Sequence, residues 1–255
     1  MQAVILAGGR GNRLAEESQV IPKSLVRIGS RPIIHHIMDH YSAYGINDFV
    51  LALGYRGHLV KEYFADLARN RSDIRVDTST GHVETWTSAD LPWRVTLVDT
   101  GTETRTGGRV KRVASYLHDT FMVTYEDGLS DVDVTELAAF HRASDCLATV
   151  TAVHPPPRFG TLQLHAGKVA AFREKVPSTS QWINGGFLVL EPGILKHIAD
   201  DNSSLERDVL SKLADDGELA AYEHEGFWHP MDTVPDRDEL IRLWESGRAP
   251  WAQPR

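Results

Sequence analysis

The sequence predicts an α/β fold, a three-layer sandwich around a mixed but mostly parallel sheet. Three observations predict it. Apolar strand-like runs alternate with amphipathic helical patterns up to Leu147. The first run, Ala3–Ala7, breaks straight into Gly8-Gly9-Arg10-Gly11-Asn12-Arg13, a strand-to-turn junction of the kind that opens a βα unit. After Leu147 the texture changes to shorter strands and a hairpin signal.

Ala3–Ala7 is the first strand. Pro32–Tyr44 follows as a helix with Ile33, Ile34, Ile37, Met38 and Tyr41 on one face and Gly45 as its stop. Phe49–Leu53 reads as a strand, and His58–Asn70 as a helix turning Leu59, Val60, Tyr63, Phe64 and Leu67 inward. Residues 72–94 are polar and poorly periodic, a surface excursion. Val95–Val98 and Phe121–Thr124 are strands separated by a helix near Gly108–Leu117. Asp133 N-caps a helix carrying Leu137, Ala138 and Phe140. Ala148–Val153 is a strand. Thr161–Leu164 and Val169–Phe172 flank His165-Ala166-Gly167 as a hairpin, and Phe187–Leu190 is a further strand. Ser203-x-x-Glu206 is a capping box that opens a helix running to about Asp215, and Asp236–Glu245 is the last helix.

Composition narrows the function classes. The 255 residues fit one α/β domain, and 42% hydrophobic content supports an ordinary core. A formal net charge of −8 disfavours a nucleic-acid binder, which carries a basic face, yet leaves room for a few local cations in one cleft. One cysteine, Cys146, excludes an internal disulfide or a cysteine zinc site. No apolar run approaches membrane-spanning length, and Met1 leads directly into a strand, so the expected home is the cytoplasm with no membrane partner. His36 and His40 stand at i, i+4, a spacing that can ligate a metal. No third ligand accompanies them, and a solvated helix face is the expectation. His224 and His229 flank the Gly-Phe-Trp turn and read first as packing residues, with a place in a ligand cleft as the alternative.

The glycine turn is suited to phosphate. Glycines let backbone N–H groups approach an anion, while Arg13 and Lys23 add charge. It is not a Walker loop, because no lysine follows the glycines. Nor is it a dinucleotide fingerprint, because Leu14 stands at the third glycine position. The order G-G-x-G-x-R followed by Pro22-Lys23 resembles the LAGGxGTRL…PKP signature of the sugar-1-phosphate nucleotidyltransferases. The resemblance continues in order along essentially the whole chain. It takes in Tyr44-Gly45-Ile46-Asn47-Asp48-Phe49, Gly54-Tyr55, Lys61-Glu62-Tyr63-Phe64, Val95 to Gly101, Thr106 to Arg112 and Arg158-Phe159-Gly160. It ends with Asn184-Gly185-Gly186-Phe187, Gly226 to Thr233, Leu243-Trp244-Glu245, Gly247 and Ala249-Pro250-Trp251. Within the family these segments are most similar to the glucose-1-phosphate cytidylyltransferases.

That resemblance implies a Rossmann-like fold of the nucleotide-diphospho-sugar transferase type with a small β-rich sugar-binding appendage. One nucleotidyltransferase domain would span residues 1–255, with a nucleotide-binding part at 1–147 and a sugar-phosphate-binding part at 148–255. The implied reaction moves a nucleotidyl group, CMP from CTP first of all, onto a sugar 1-phosphate, glucose 1-phosphate or a related sugar. Attack on the α-phosphate is in line and magnesium-assisted, and pyrophosphate leaves. The same reaction with UTP, dTTP or another triphosphate is one alternative. A sugar-nucleotide-binding protein without chemistry is another, disfavoured by the joint presence of Arg13, Lys23, Asp127, Lys175 and Asp232. The implied catalytic residues are Arg13 and Lys23. Nucleotide contacts fall to Leu6, Ala7, Gly8, Gly9, Gly11, Asn12, Thr106, Gly107 and Arg109, the glycines at 107 and 108 letting backbone groups read a base edge. Sugar-phosphate contacts fall to Glu174, Lys175, Asn184 and Gly185. Asp127 and Asp232 would hold Mg2+. Taken alone, an Asp-Gly more often makes a turn, an aspartate before a helix more often caps it, and Arg173-Glu174-Lys175 would be an exposed strand end. The family resemblance also implies a homo-oligomer, a hexamer in the group most alike, with residues 72–94 as an arm meeting neighbouring subunits.

The sequence leaves the family pattern in its active-site motifs. The threonine of G-T-R is Asn12, which keeps hydrogen-bonding ability. K-P-K-P is Ile21-Pro22-Lys23-Ser24, which loses one charge and one proline. Gly-Asp-Gly is Glu126-Asp127-Gly128. The extra carboxylate would tighten magnesium, touch a sugar hydroxyl or amine, or point to solvent, and glutamate adopts fewer backbone shapes than glycine. These departures raise the expectation of a sugar phosphate other than plain glucose 1-phosphate.

Overall fold

The fold was read from a computed structural model, and the structure describes residues 1–9, 21–87, 91–157, 159–174 and 181–252. Of the residues singled out above, Arg10, Gly11, Asn12, Arg13, Leu14, Arg158 and Lys175 lie outside these. Among the described residues sixteen strands are numbered in chain order. The first seven are β1 (Ala3–Ala7), β2 (Arg27–Ile28), β3 (Arg31–Pro32), β4 (Asp48–Leu53), β5 (Ser72–Asp77), β6 (His82–Thr87) and β7 (Arg94–Asp99). Next come β8 (Phe121–Tyr125), β9 (Gly128–Ser130), β10 (Ala148–Val153), β11 (Thr161–His165) and β12 (Lys168–Arg173). The last four are β13 (Ile183–Asn184), β14 (Leu188–Leu190), β15 (Leu219–His224) and β16 (Trp228–Pro230). The α-helices among the described residues are α1 (Ile33–Ala43), α2 (Gly57–Asn70), α3 (Thr106–Arg112), α4 (Val134–Ser144), α5 (Ser211–Asp215) and α6 (Val234–Glu245).

An eight-stranded sheet runs β10–β14–β8–β1–β4–β7, with β13 and β15 also pairing with β10. β7, β4, β1 and β8 are mutually parallel, β14 is antiparallel to both β8 and β10, and β15 is parallel to β10. The sheet therefore continues across residue 147 without a break. β1 is buried along its whole length, and its side chains alternate between two cores. Ala3, Ile5 and Ala7 join the cluster built with α1, while Val4 and Leu6 join the one built with Val110, Val113, Leu205, Val209 and Leu213. Those are the outer layers of the sandwich, and each fully buried Ile, Leu or Phe contributes about 1.5–3 kcal/mol. Because four neighbouring strands are parallel, the loops after β1, β4, β7 and β8 emerge at one edge. Residues 72–87 form an antiparallel hairpin, β5–β6, that leaves Ile74, Val76, Val83 and Trp86 exposed. Among the described residues no helix is long and apolar enough to cross a membrane.

Four local expectations are corrected. His36 and His40 do not face solvent; they are 2% and 4% exposed. α1 is enclosed on both sides, by the core and by the C-terminal segment. His36 meets Ile28 O at 3.0 Å and accepts from Trp251 Nε1 at 3.2 Å, and His40 meets Val132 O at 3.0 Å. The helix expected after Ser203 starts one residue later, where Ser204 accepts from Arg207 N. It opens as a π-helical turn over Leu205–Leu210 before continuing as α5, and Glu206 accepts from the cap serine's hydroxyl instead of answering its backbone N–H. The final helix begins at Val234, with Thr233 as N-cap and Asp236 answering it in a capping box. Arg109 is buried, and its helix α3 ends at Arg112 before a separate 3₁₀ turn.

His35, on α1, is 5% exposed and sits among Tyr63, Phe64 and Trp93, with the Tyr63 hydroxyl 2.7 Å from its Nε2. Burial, then the cations Arg31 and Arg71, lower its pKa to about 4. A histidine depressed from ~6.5 stabilises the fold fully above that pH, and the contribution is lost as pH falls towards 4. Urea midpoints should therefore drop between pH 6.5 and 4, with His35 accounting for about 3 kcal/mol at most. His35→Gln should flatten that slope; an unchanged slope would remove His35 from the account.

Candidate active site

At the edge where β1 and β8 end lies a cleft of about 540 Å³. Leu6, Gly8 and Gly9 line it from the β1 side, and Tyr125, Glu126 and Asp127 from the β8 side. Thr102, Thr104, Arg105, Thr106 and Arg109 form one wall, and Ser204, Glu206 and Arg207 from the π-helical turn complete it.

The floor is ionic. Lys23 stands in the 3₁₀ turn Lys23–Leu25, where Leu25 N bonds Pro22 O at 2.9 Å. Its Nζ donates to Asp127 Oδ2 at 2.6 Å and to Asp232 Oδ1 at 2.9 Å. Burial by itself would lower the pKa of this ammonium, but the two carboxylates outweigh it and hold the pKa above its ordinary value. The aspartates are brought together by a two-stranded ladder. β9 pairs antiparallel with β16 in the register Gly128↔Pro230, and Met231 N donates to Asp127 O at 2.7 Å. Asp127 enters that ladder as Asp232 leaves it. Two hard oxygen donors thus converge on one cation-sized point, a donor set of the kind magnesium takes.

Glu126 lines the cleft but does not point to solvent. It is 5% exposed and its Oε2 accepts from Ser24 N at 3.2 Å. Burial, and secondly the Asp127 charge, push its pKa up to about 7. Ile21, where the family has a lysine, is half-buried and packs on the core beneath α1.

Arg109 organises the cleft's back wall. Its Nη1 donates to Leu53 O at 3.1 Å and Thr100 Oγ1 at 2.7 Å, and its Nη2 to Gly8 O at 3.1 Å and Thr102 O at 3.3 Å. One guanidinium thereby ties together the end of β4 and the chain just beyond β1 and β7. A Cβ on Gly8 would collide with that guanidinium, so glycine is required there for packing as well as for access. At Gly107 the close neighbour is backbone: a Cβ would lie 2.8 Å from Ser203 O. Thr106 Oγ1 donates to Glu206 Oε2 at 2.7 Å and accepts from Leu205 N at 2.9 Å. Glu206 also takes Tyr125 OH at 2.6 Å and Ser204 Oγ at 2.8 Å. Burial would raise its pKa, but these hydroxyl donors outweigh it and lower it.

Of the remaining candidates, Ala7 is 1% exposed behind the cleft. Asn184 is exposed at the end of β13; its Nδ2 reaches Tyr125 OH at 3.5 Å, and its Oδ1 accepts from Gly186 N at 2.9 Å. Gly185 O accepts from Trp228 Nε1 at 2.6 Å. Glu174 is exposed where β12 ends. Sequence reading missed Tyr125, Glu206 and the threonines at 102 and 104. The one available signal, the Glu of Ser-x-x-Glu, reads locally as part of a helix cap.

Residues 2–236 match the family described as nucleotidyl transferase. The chain is similar to glucose-1-phosphate cytidylyltransferase of Salmonella typhimurium, 48% identical over 253 residues that cover 98% of each chain. A probable glucose-1-phosphate cytidylyltransferase of Bacillus subtilis is 41% identical over 98% of this chain and 99% of that one. Among solved structures, HddC from Yersinia pseudotuberculosis superposes with a TM-score of 0.68 at 24% identity, covering 95% of this chain and 99% of the other. Apo-UDP-glucose pyrophosphorylase reaches a TM-score of 0.69 at 15% identity over 97% and 98%. These two structural likenesses concern the fold.

The close backbone approach at Gly107 yields a test of the wall. Gly107→Ala should destabilise the protein by about 1–3 kcal/mol and shift Thr106 from Glu206. Thermal unfolding should show the loss, and the apparent affinity for nucleotide should fall with it. A fully stable variant would contradict the packing account.

Proposed function

The chain belongs to the nucleotidyl transferase family, and on that premise we propose that it transfers the cytidylyl group of CTP to glucose 1-phosphate, releasing pyrophosphate. A phosphate oxygen of the sugar phosphate attacks the α-phosphorus of the triphosphate, and the bond to the β-phosphate oxygen breaks in line. The observation that carries the reading is the convergence of Asp127 and Asp232 on one cation at the cleft floor, 2.6 and 2.9 Å from Lys23 Nζ.

The residues act by position and charge. The backbone at Gly8 and Gly9 lets phosphate oxygens come close to the end of β1. Lys23 supplies positive charge at the floor, where low exposure strengthens it, and Arg13 belongs to the same role. Asp127 and Asp232 would hold Mg2+, which when bound neutralises charge on the triphosphate and the leaving group. Leu6, Thr106 and Arg109 belong to the nucleotide side, within residues 1–147. Glu174, Lys175, Asn184 and Gly185 belong to the sugar-phosphate side, within residues 148–255. The Asn184–Tyr125–Glu206 chain of hydrogen bonds supports a site in which the two halves are aligned through one rigid wall. Plain glucose 1-phosphate is preferred over an altered sugar because Ile21 packs on the core and Glu126 is bonded to Ser24. The same proposal places the protein in the cytoplasm as a homo-oligomer, with a hexamer as the expected size. The exposed apolar side chains of the β5–β6 hairpin support assembly, and light scattering measures it.

Pyrophosphate release over a panel of triphosphates and sugar 1-phosphates tests the reading. CTP with glucose 1-phosphate should exceed every other pair. A higher rate with UTP, dTTP or another sugar phosphate would replace the substrate assignment, and no turnover with any pair would leave a binding protein. Asp127→Ala should lower kcat by roughly 100-fold or more with the circular dichroism spectrum retained.

A further inference from the structure

Two of the places where this chain leaves its family's signature meet in space. The signature has proline after the motif lysine and glycine before the metal aspartate; here those positions are Ser24 and Glu126. Ser24 N donates to Glu126 Oε2 at 3.2 Å. Neither family residue can make this bond, since proline has no N–H and glycine has no carboxylate.

The local geometry explains why the exchange is tolerated. Within the 3₁₀ turn the backbone bonds run from Leu25 N to Pro22 O and from Val26 N to Lys23 O. The amide at position 24 lies in the first turn, where a helix leaves its N–H groups unsatisfied and where proline is at home. Replacing proline by serine frees a buried N–H, and Ser24 is 0% exposed. The serine hydroxyl also lies near the Glu126 carboxylate and favours its charged form, but the bond with full hydrogen-bond geometry is the amide's, and Ser24 Oγ itself meets no partner among the described residues at that geometry. What the serine supplies is its amide. Glu126 is buried too, and its carboxylate needs a donor. Each departure alone would leave a buried polar group without a partner, and together they satisfy one another.

We propose that Ser24 and Glu126 are a matched pair of replacements, and that Glu126 is a positioning residue for nucleotidyl transfer acting through the Ser24 amide on Lys23. The bond is one of two consecutive rungs. Lys23 reaches Asp127 and Ser24 reaches Glu126, so two neighbouring residues on the turn grip two neighbouring residues after β8. The second rung fixes the turn's backbone while the first holds the ammonium over the cleft floor. The kinetic consequence rests on the nucleotidyltransferase reading; the pairing itself does not.

A double-mutant cycle tests both parts. The full-length protein is compared with Ser24→Ala, Ser24→Pro, Glu126→Gly, Glu126→Gln and the double variant Ser24→Pro/Glu126→Gly. Thermal unfolding and steady-state kinetics with the best substrate pair of the panel are the readouts. Ser24→Pro and Glu126→Gly should each lower Tm by roughly 3–8 °C. Each should also lower kcat about tenfold or more while KM stays within about twofold, because displacing Lys23 affects the transition state more than binding. Ser24→Ala keeps the amide and Glu126→Gln keeps an acceptor, so both should hold most of the stability and the rate. The double variant should recover Tm and kcat well beyond the sum of the singles. Additive losses in the double variant would overturn the pairing, as would a Ser24→Ala loss equal to that of Ser24→Pro. Recovery of Tm with kcat unchanged in both singles would overturn the positioning role. If no substrate pair is turned over, the functional reading fails while the unfolding cycle still decides the pairing.

Discussion

Lys23 reaches from a short turn near the start of the chain to two carboxylates that lie 104 and 209 residues further along, and most of the site's construction serves that contact. Its side chain is 7% exposed. An ammonium so placed is tolerable only if it is paired, and two carboxylates aimed at one point repel unless a cation stands between them. The three charges therefore require one another. The β9–β16 ladder exists at the right register to deliver Asp127 and Asp232 to one end, and the Ser24–Glu126 bond fastens the turn that delivers Lys23. Hard oxygen donors gathered around a positive charge have the chemistry that suits a cation and phosphate.

The cleft wall follows the same logic with different partners. Arg109 is a buried guanidinium answered by three backbone carbonyls and a threonine hydroxyl, so its charge binds the chain at the ends of three parallel strands into one rigid rim. Glu206 is a largely buried carboxylate answered by three hydroxyls, which join α3, β8 and the π-helical turn. In both cases a charged group that would be costly inside the protein becomes the fastening between elements. The described walls of the cleft are held by bonds within the protein, which suits a reaction catalysed by alignment and electrostatics.

Much of the architecture was legible in the sequence because it depends on local patterns. The apolar runs at 3–7, 49–53, 121–124 and 148–153 became strands, and Asp133 caps α4 as its spacing suggested. The errors came where a residue's partner lies far along the chain. His36 and His40 looked solvated because helical periodicity sees only one face, and it could not register that Trp244 and Trp251 return to cover the other. Glu206 looked like half of a capping box because its true partners, Thr106 and Tyr125, are 100 and 81 residues away. For Glu126 the sequence leaves magnesium, a sugar group and solvent all open as its surroundings, because nothing local announces Ser24 as its donor.

The sequence by itself determined the class of fold, the order of its elements, the phosphate-suited turn after β1 and the family, since each rests on short-range spacing and residue type. Only the tertiary structure decided which charges face one another. Lys23 with Asp127 and Asp232, Arg109 with the rim carbonyls, and Ser24 with Glu126 are pairings between residues drawn from separate strands and turns. Their meeting depends on strand order and ladder register, which bring distant segments to one sheet edge, and a linear pattern carries no measure of that distance.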